Sequence, residues 1–213
     1  MKISSKIASA RRKRDRGAAK WLKLGAALVM VAQLSGCALL RGQEAPRETF
    51  ELSAPQTVSG LSASTSAQVL VKIPTALDAV NSDRIVLRPT PRSITYLAGA
   101  QWSDTVPKMV QVKLVQAFEN TGATGATAKP GDGLVIDFQL VGDIRRFEVR
   151  DGQAQIEMSM KLLSDRSGQV LETRIFRASA SSGTGSADDV VEAFDRAFSD
   201  IAQSIIRWTV QRL

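Results

Sequence analysis

Ala154-Gln155-Ile156-Glu157-Met158-Ser159-Met160-Lys161-Leu162 alternates apolar and polar residues without a break. Successive side chains of a strand point to opposite faces of its sheet, so this stretch reads as a strand buried on one face and wet on the other. Upstream, Leu134, Ile136, Phe138 and Leu140 alternate with Asp137 and Gln139, and the pattern resumes through Phe147 and Val149. Asp151-Gly152 between the two stretches has the chemistry of a tight hairpin turn. A second turn, Asp165–Gly168, leads into a third strand over Val170–Ala180. Three consecutive strands with short connections form an antiparallel meander.

Outward from the meander, the pattern changes period. From Ala187 to about Arg212, Val190, Val191, Phe194, Phe198, Ile201, Ile205 and Trp208 fall three or four residues apart, and Ser186 with Asp189 forms a capping box. A second helix is predicted over about 104–120, with Ser103 as cap, Pro107 tolerated in the first turn, and Val106, Met109, Val110, Leu114 and Phe118 on one face. Gln68–Ile73 reads as a strand ending at Pro74, and Arg84–Arg88 with Ser93–Leu97 reads as a hairpin around Pro89 and Pro91. The segment Thr121–Asp132 is a glycine-containing loop between two halves. The fold class is α+β: a single domain, its mostly antiparallel sheet ending in the three-strand meander and covered by two main helices, about 104–120 and 187–212.

The 213 residues include 28 Lys and Arg, 21 Asp and Glu, one Cys and no His, with a net charge of +7. A chain this basic invites a polyanionic partner. The charge is local, however. Residues 1–36 hold nine Lys and Arg and one acid, which leaves 19 basic and 20 acidic residues from Cys37 onward. The functional part is near neutral, which argues against nucleic acid.

Behind the basic arm comes an apolar run, Leu24–Leu34, and then Leu34-Ser35-Gly36-Cys37. A basic region, a short apolar region and small residues before a scission point make a secretory signal peptide. The run is shorter than the roughly 20 residues a membrane-spanning helix needs. Leu-Ser-Gly-Cys resembles a bacterial lipobox, in which cleavage between Gly36 and Cys37 makes the Cys the first mature residue and the carrier of the lipid. Arg11-Arg12 leaves a twin-arginine export route open, and Ala38 after the Cys resembles an outer-membrane address. The domain division is then 1–36 signal peptide, 37–66 lipidated tether and 67–213 folded domain. A tether of about 30 residues would reach roughly 30 Å. Within it, Thr49-Phe50-Glu51-Leu52 is an extended patch suited to a sheet edge.

Without His, the usual Ser-His and Cys-His nucleophile systems and His-ligated metal sites cannot be built. No catalytic residue, metal site or cofactor is expected beyond the covalent lipid on Cys37. Asp137, Asp143 and Glu148 sit where outward polar residues of strands belong. Gly183-Thr184-Gly185 before the last helix resembles a phosphate-cradling turn, yet it lacks the P-loop lysine, and Asp188 and Asp189 would repel an anion. Aromatic residues are scarce at 5%, so Tyr96 and Trp102, near Arg84, have two readings: core residues, or anchors at a protein interface.

The order of these pieces carries a resemblance. A lipobox is followed by Phe50-Glu51-Leu52, a strand ending Val71-Lys72-Ile73-Pro74, Asp83-Arg84-Ile85-Val86, Ile94-Thr95-Tyr96 with Trp102 six residues after the Tyr, the meander and a Trp-containing terminal helix. Over residues 48–213 this resembles the ABC-type transport auxiliary lipoprotein family, the small lipoproteins that accompany MCE-type (mammalian cell entry) lipid transporters such as that of the paraquat-inducible system. Phe50 stands where that family carries Tyr. The resemblance implies a non-catalytic outer-membrane lipoprotein facing the periplasm. Such a protein docks on an MCE-domain protein, with permease and ATPase as separate chains, and supports lipid transfer between the membranes. Arg84, Tyr96 and Trp102 are the interface candidates, and a homo-oligomer is compatible with the sequence. The other readings are a periplasmic lipid-binding carrier, an assembly factor of another envelope machine such as one for lipopolysaccharide insertion, and, last, a carboxylate-based enzyme.

Overall fold

The computed structural model describes residues 46–61 and 63–213. The expected signal peptide, Gly36, Cys37 and the first residues of the expected tether lie outside the described residues. Among those described, nine strands join one sheet: β1 (Glu48–Phe50), β2 (Gln68–Val71), β3 (Thr75–Ala76), β4 (Arg84–Thr90), β5 (Ser93–Trp102), β6 (Ala126–Ala128), β7 (Phe138–Arg150), β8 (Gln153–Ser164) and β9 (Val170–Ser181). Two helices, α1 (Val106–Thr121) and α2 (Ala187–Val210), complete the α+β domain.

β7 organises the sheet. One of its edges pairs antiparallel with β8 along nearly its whole length, and β8 in turn pairs antiparallel with β9. The other edge is shared by three strands, all parallel to β7: β2 opposite Phe138–Leu140, β3 opposite Asp143–Ile144 and β4 opposite Glu148–Val149. The expected meander and the β4–β5 hairpin are present, and the hairpin's second strand runs on to Trp102. The short ladders β1–β5 and β2–β6 are also parallel, so the sheet is mixed, with its long ladders antiparallel. The turn between β7 and β8 has Asp151 at φ 52° and Gly152 at φ 69°, the pair of positive φ values that suits a two-residue hairpin.

The alternation in β7 slips by one residue, and the structure supplies the reason. Leu140, Gly142 and Ile144 face inward, then Phe147 does so, because a bulge between Ile144 and Arg146 places one extra residue, Arg145, in the strand. Leu134 and Val135, read as strand, precede β7 and are exposed; the strand starts at Phe138.

Both helices cover the same sheet face. Ala154, Ile156, Met158, Met160 and Leu162 of β8 are buried against them, as the alternation requires. α2 supplies Val190, Phe194, Phe198, Ile201, Ile205 and Trp208, and α1 supplies Val106, Met109, Val110, Leu114 and Phe118. The Ser186 hydroxyl accepts the Asp189 N–H at 3.2 Å, as its cap position predicts. α1 begins two residues later than expected: Thr105, not Ser103, precedes it, without a side-chain cap bond.

The domain takes in more of the chain than its composition suggests. Residues 51–61, read as tether, run across the outside of both helices. Glu51 pairs with Lys113 of α1 at 2.8 Å, and the Ser53 N–H donates to Asp195 of α2 at 2.6 Å. Further along, Arg207 donates to the Ser59 carbonyl at 2.9 Å and the Asn120 amide to that of Pro55 at 3.3 Å. Leu52 is 2% exposed, and Ala54, Val58 and Leu61 pack on the core. This strap is polar overall because it contributes one apolar residue at a time to a groove that the helices have largely filled. The chain then enters β2, where Gly125 backs onto Ser66 so closely that a Cβ would lie 2.2 Å from the Ser66 carbonyl oxygen.

Candidate docking surface

The three interface candidates part company. Trp102 ends β5 on the helix side and is 1% exposed. It stands edge-on to Phe147 and Phe194, with centroids 5.9 and 5.4 Å away. Its role is therefore in the core, and its reading as an interface anchor is corrected; scarcity of aromatics marked the packing centre. Arg84 and Tyr96 lie together on the helix-free side. The guanidinium sits over the Tyr96 ring, 4.5 Å from its centroid, a contact worth about 0.5–1 kcal/mol at an exposed site. Tyr96 and the neighbouring Ile94 are 37% and 40% exposed.

Arg84 and Tyr96 belong to a larger charged face of the sheet. The register places Arg146, Glu157 and Arg177 in one row across β7, β8 and β9. Glu157 is buried, and Arg177 holds it with two bonds, Nε at 3.0 Å and Nη2 at 3.4 Å. Arg146 approaches it to 3.3 Å, and Arg145, brought round by the bulge, to 3.7 Å. One carboxylate thus meets three guanidinium groups, which leaves positive charge in excess. On the same face Arg88 pairs with buried Glu148 at 2.7 Å.

The residues weighed for catalysis are all engaged elsewhere. Asp137 accepts the Gln68 N–H at 2.9 Å and so fixes β2 beside β7. Asp143 accepts the Thr75 hydroxyl at 2.9 Å and does the same for β3. Glu148 is the partner of Arg88. In the Gly183-Thr184-Gly185 loop the Thr184 N–H and hydroxyl both donate to Asp189, so a carboxylate of the chain itself fills the place of an incoming anion. These two bonds, the hydroxyl's first, hold the Asp189 carboxyl below the ordinary aspartate range, with smaller help from Ser186 and Arg196 against a small opposing effect of burial. Among the described residues no group of three or more His, Cys, Asp or Glu could hold a metal ion.

The sequence reading missed the edge formed by β9, a 12-residue strand that pairs only with β8 among the described residues. Val170, Leu171 and Ile175 are exposed on it. Between this edge and the end of α2 lies a recess of about 310 Å³, lined by Arg174, Ile175, Phe176, Arg177, Ser204, Arg207, Trp208 and Gln211. The lining includes three arginines and no carboxylate. The Arg174 guanidinium stands 5.4 Å from the Phe176 ring centroid, and the buried Trp208 indole N–H has no hydrogen-bond partner. A period-2 reading of β9 finds the strand but says nothing of its being last in the sheet.

Known proteins share this architecture. The chain aligns over 181 residues with an uncharacterised protein, bll6063, of Bradyrhizobium diazoefficiens at 32% identity, covering 83% of this chain and 49% of the relative, so it spans about half that protein's length. Protein XCC0632 of Xanthomonas campestris, known from a crystal structure, superimposes with a TM-score of 0.73 at 28% identity, covering 78% of this chain and 95% of that one. A second solved structure, of an uncharacterised protein, shares the fold with a TM-score of 0.62 at 14% identity, over 77% and 99% of the two chains. Residues 50–206, from the last residue of β1 into the final turns of α2, match the family described as the ABC-type transport auxiliary lipoprotein component. The chain belongs to the ABC-type transport auxiliary lipoprotein family.

Proposed function

We propose that the protein is a non-catalytic docking component of an MCE-type ABC lipid transporter, anchored by lipid on Cys37 in the outer membrane and facing the periplasm. Family membership over residues 50–206 carries this reading. The site geometry supports it: the candidate carboxylates are spent on strand pairing and ion pairs, while the helix-free face and the β9 edge present charged and apolar groups outward. Ten residues separate Cys37 from β1 at Glu48. Ten residues span at most about 36 Å fully extended, so the anchor keeps the domain near its membrane and a partner has to come to it.

The test is co-purification. The full chain, extracted in mild detergent, is expected to retain the MCE-domain protein of its own transporter. Failure to retain it at any detergent strength that preserves the fold would remove the docking reading.

A further inference from the structure

We propose that the open edge of β9 and the arginine recess beside it take an extended, acidic segment of a partner protein, added to the sheet as a tenth strand. This deepens the docking reading and rests on it.

The phase of the β8–β9 ladder shows which main-chain groups are on offer. The Ser182 N–H donates to the Gly152 carbonyl at 2.9 Å, so that pair bonds inward. Antiparallel pairs alternate, which turns the N–H and C=O groups of Thr173, Ile175, Arg177 and Ser179 toward the open edge. Ser181 fits the same phase: its carbonyl, at the end of this row, is already taken by Arg196 at 2.8 Å. A row of four outward-facing residues is enough to seat a strand, the mode by which extended peptides add to sheet edges.

Charge chooses the occupant. Arg177 projects on the helix-free side of the edge and Arg174 on the helix side. No carboxylate among the described residues pairs with Arg174. Arg207 borders the recess, held by Ser59 and Ser204. Charged residues on an edge strand guard against self-association. Pairing β9 with a second copy across a two-fold axis at Arg177 would set the two Arg177 side chains directly opposite each other, which like-charge repulsion disfavours. An incoming strand with glutamate or aspartate at alternate positions carries them all on one face, where they meet Arg174 with opposite charge, while the apolar side chains of its other face cover Ile175.

The experiment uses the full chain in detergent and a fluorescein-labelled peptide of alternating glutamate and valine, about ten residues long. Binding is followed by fluorescence anisotropy, with a lysine–valine peptide as comparison. Ile175→Pro removes one outward N–H and leaves the β8 ladder intact; Arg174→Glu reverses the charge at the recess. The acidic peptide is expected to bind, the lysine peptide to bind at least about tenfold more weakly, and each variant to lose about tenfold, the scale of one or two charge-assisted hydrogen bonds. No binding of the acidic peptide, equal binding of the two peptides, or undiminished binding by Arg174→Glu overturns the proposal. So does a wild-type oligomer that Ile175→Pro dissociates, since the occupant would then be a second copy. Should Ile175→Pro fail to give a native melting curve, Arg174→Glu on the exposed edge decides alone. Co-purification separates the two readings. A transporter partner retained by wild type and by both variants leaves docking standing and overturns this edge as its place. Peptide binding without any retained partner keeps the edge as a strand-binding site and removes the docking reading.

Discussion

The rings of Phe147 and Phe194 lie stacked, 4.7 Å between centroids and 8° from parallel, and so fasten the middle of the sheet to the terminal helix. Trp102 closes the cluster edge-on to both rings. Phe194→Ala should lower unfolding free energy by about 3–5 kcal/mol, the usual cost of emptying an aromatic core site. Urea denaturation measures it. A loss below about 1 kcal/mol would mean that the cluster does not hold helix and sheet together.

The strap gives a sharper test of where the domain begins. If residues 51–61 were tether, Leu52→Ala would leave stability unchanged. With Leu52 buried, the variant should lose about 2–4 kcal/mol in the same urea titration.

Arg88 and Glu148 make a directional prediction. Glu148 is 3% exposed and Arg88 23%. Arg88→Met leaves a buried carboxylate without its cation and should cost about 3 kcal/mol, whereas the double variant Arg88→Met/Glu148→Met should recover most of that loss. Thermal melts of the three proteins decide it; a double variant as unstable as the single would show that the pair is not the cause.

Asp189 ties stability to pH. Its carboxyl ionises more readily in the folded chain than in the unfolded one, so the stability it contributes is fully present above the ordinary aspartate range. That contribution is lost as pH falls through this range and below it. Asp189→Asn should therefore melt below wild type at neutral pH, and the gap between the two Tm values should close on acidification. A gap that stays constant with pH would assign the effect to something other than ionisation.

Cys37→Ser tests the anchor. The expected product is an uncleaved precursor without lipid, visible as a higher intact mass. If the variant is still cleaved and still fractionates with membranes, Cys37 is not the acceptor.

The meander, the hairpin and both helices were legible because each is a local pattern: alternation in β8, positive-φ turn chemistry at Asp151-Gly152, and the apolar stripe of α2. The parallel pairings were not. β2, β3 and β4 are too short and too far along the chain from β7 for any window of sequence to join them, and the side chains that fix two of those joins, Asp137 and Asp143, looked like ordinary outward polar residues. Val58 and Leu61 were hidden by spacing that fits neither period. Trp102 was visible as unusual, and only its neighbours Phe147 and Phe194 say that the reason is packing. Arg84 lies half-buried over the partly exposed ring of Tyr96.

The shared edge of β7 also sets an order of events. β2, β3 and β4 are all made before Phe138, yet the strand that receives them is complete only at Arg150. The β4–β5 hairpin can close on its own, whereas the partners of β2 and β3 arrive about 70 residues later, and pairings so distant in sequence are slow to form. Folding should accordingly start in the C-terminal meander and run backward, so that the N-terminal part of the domain, next to the proposed lipid anchor, is the last to become fixed.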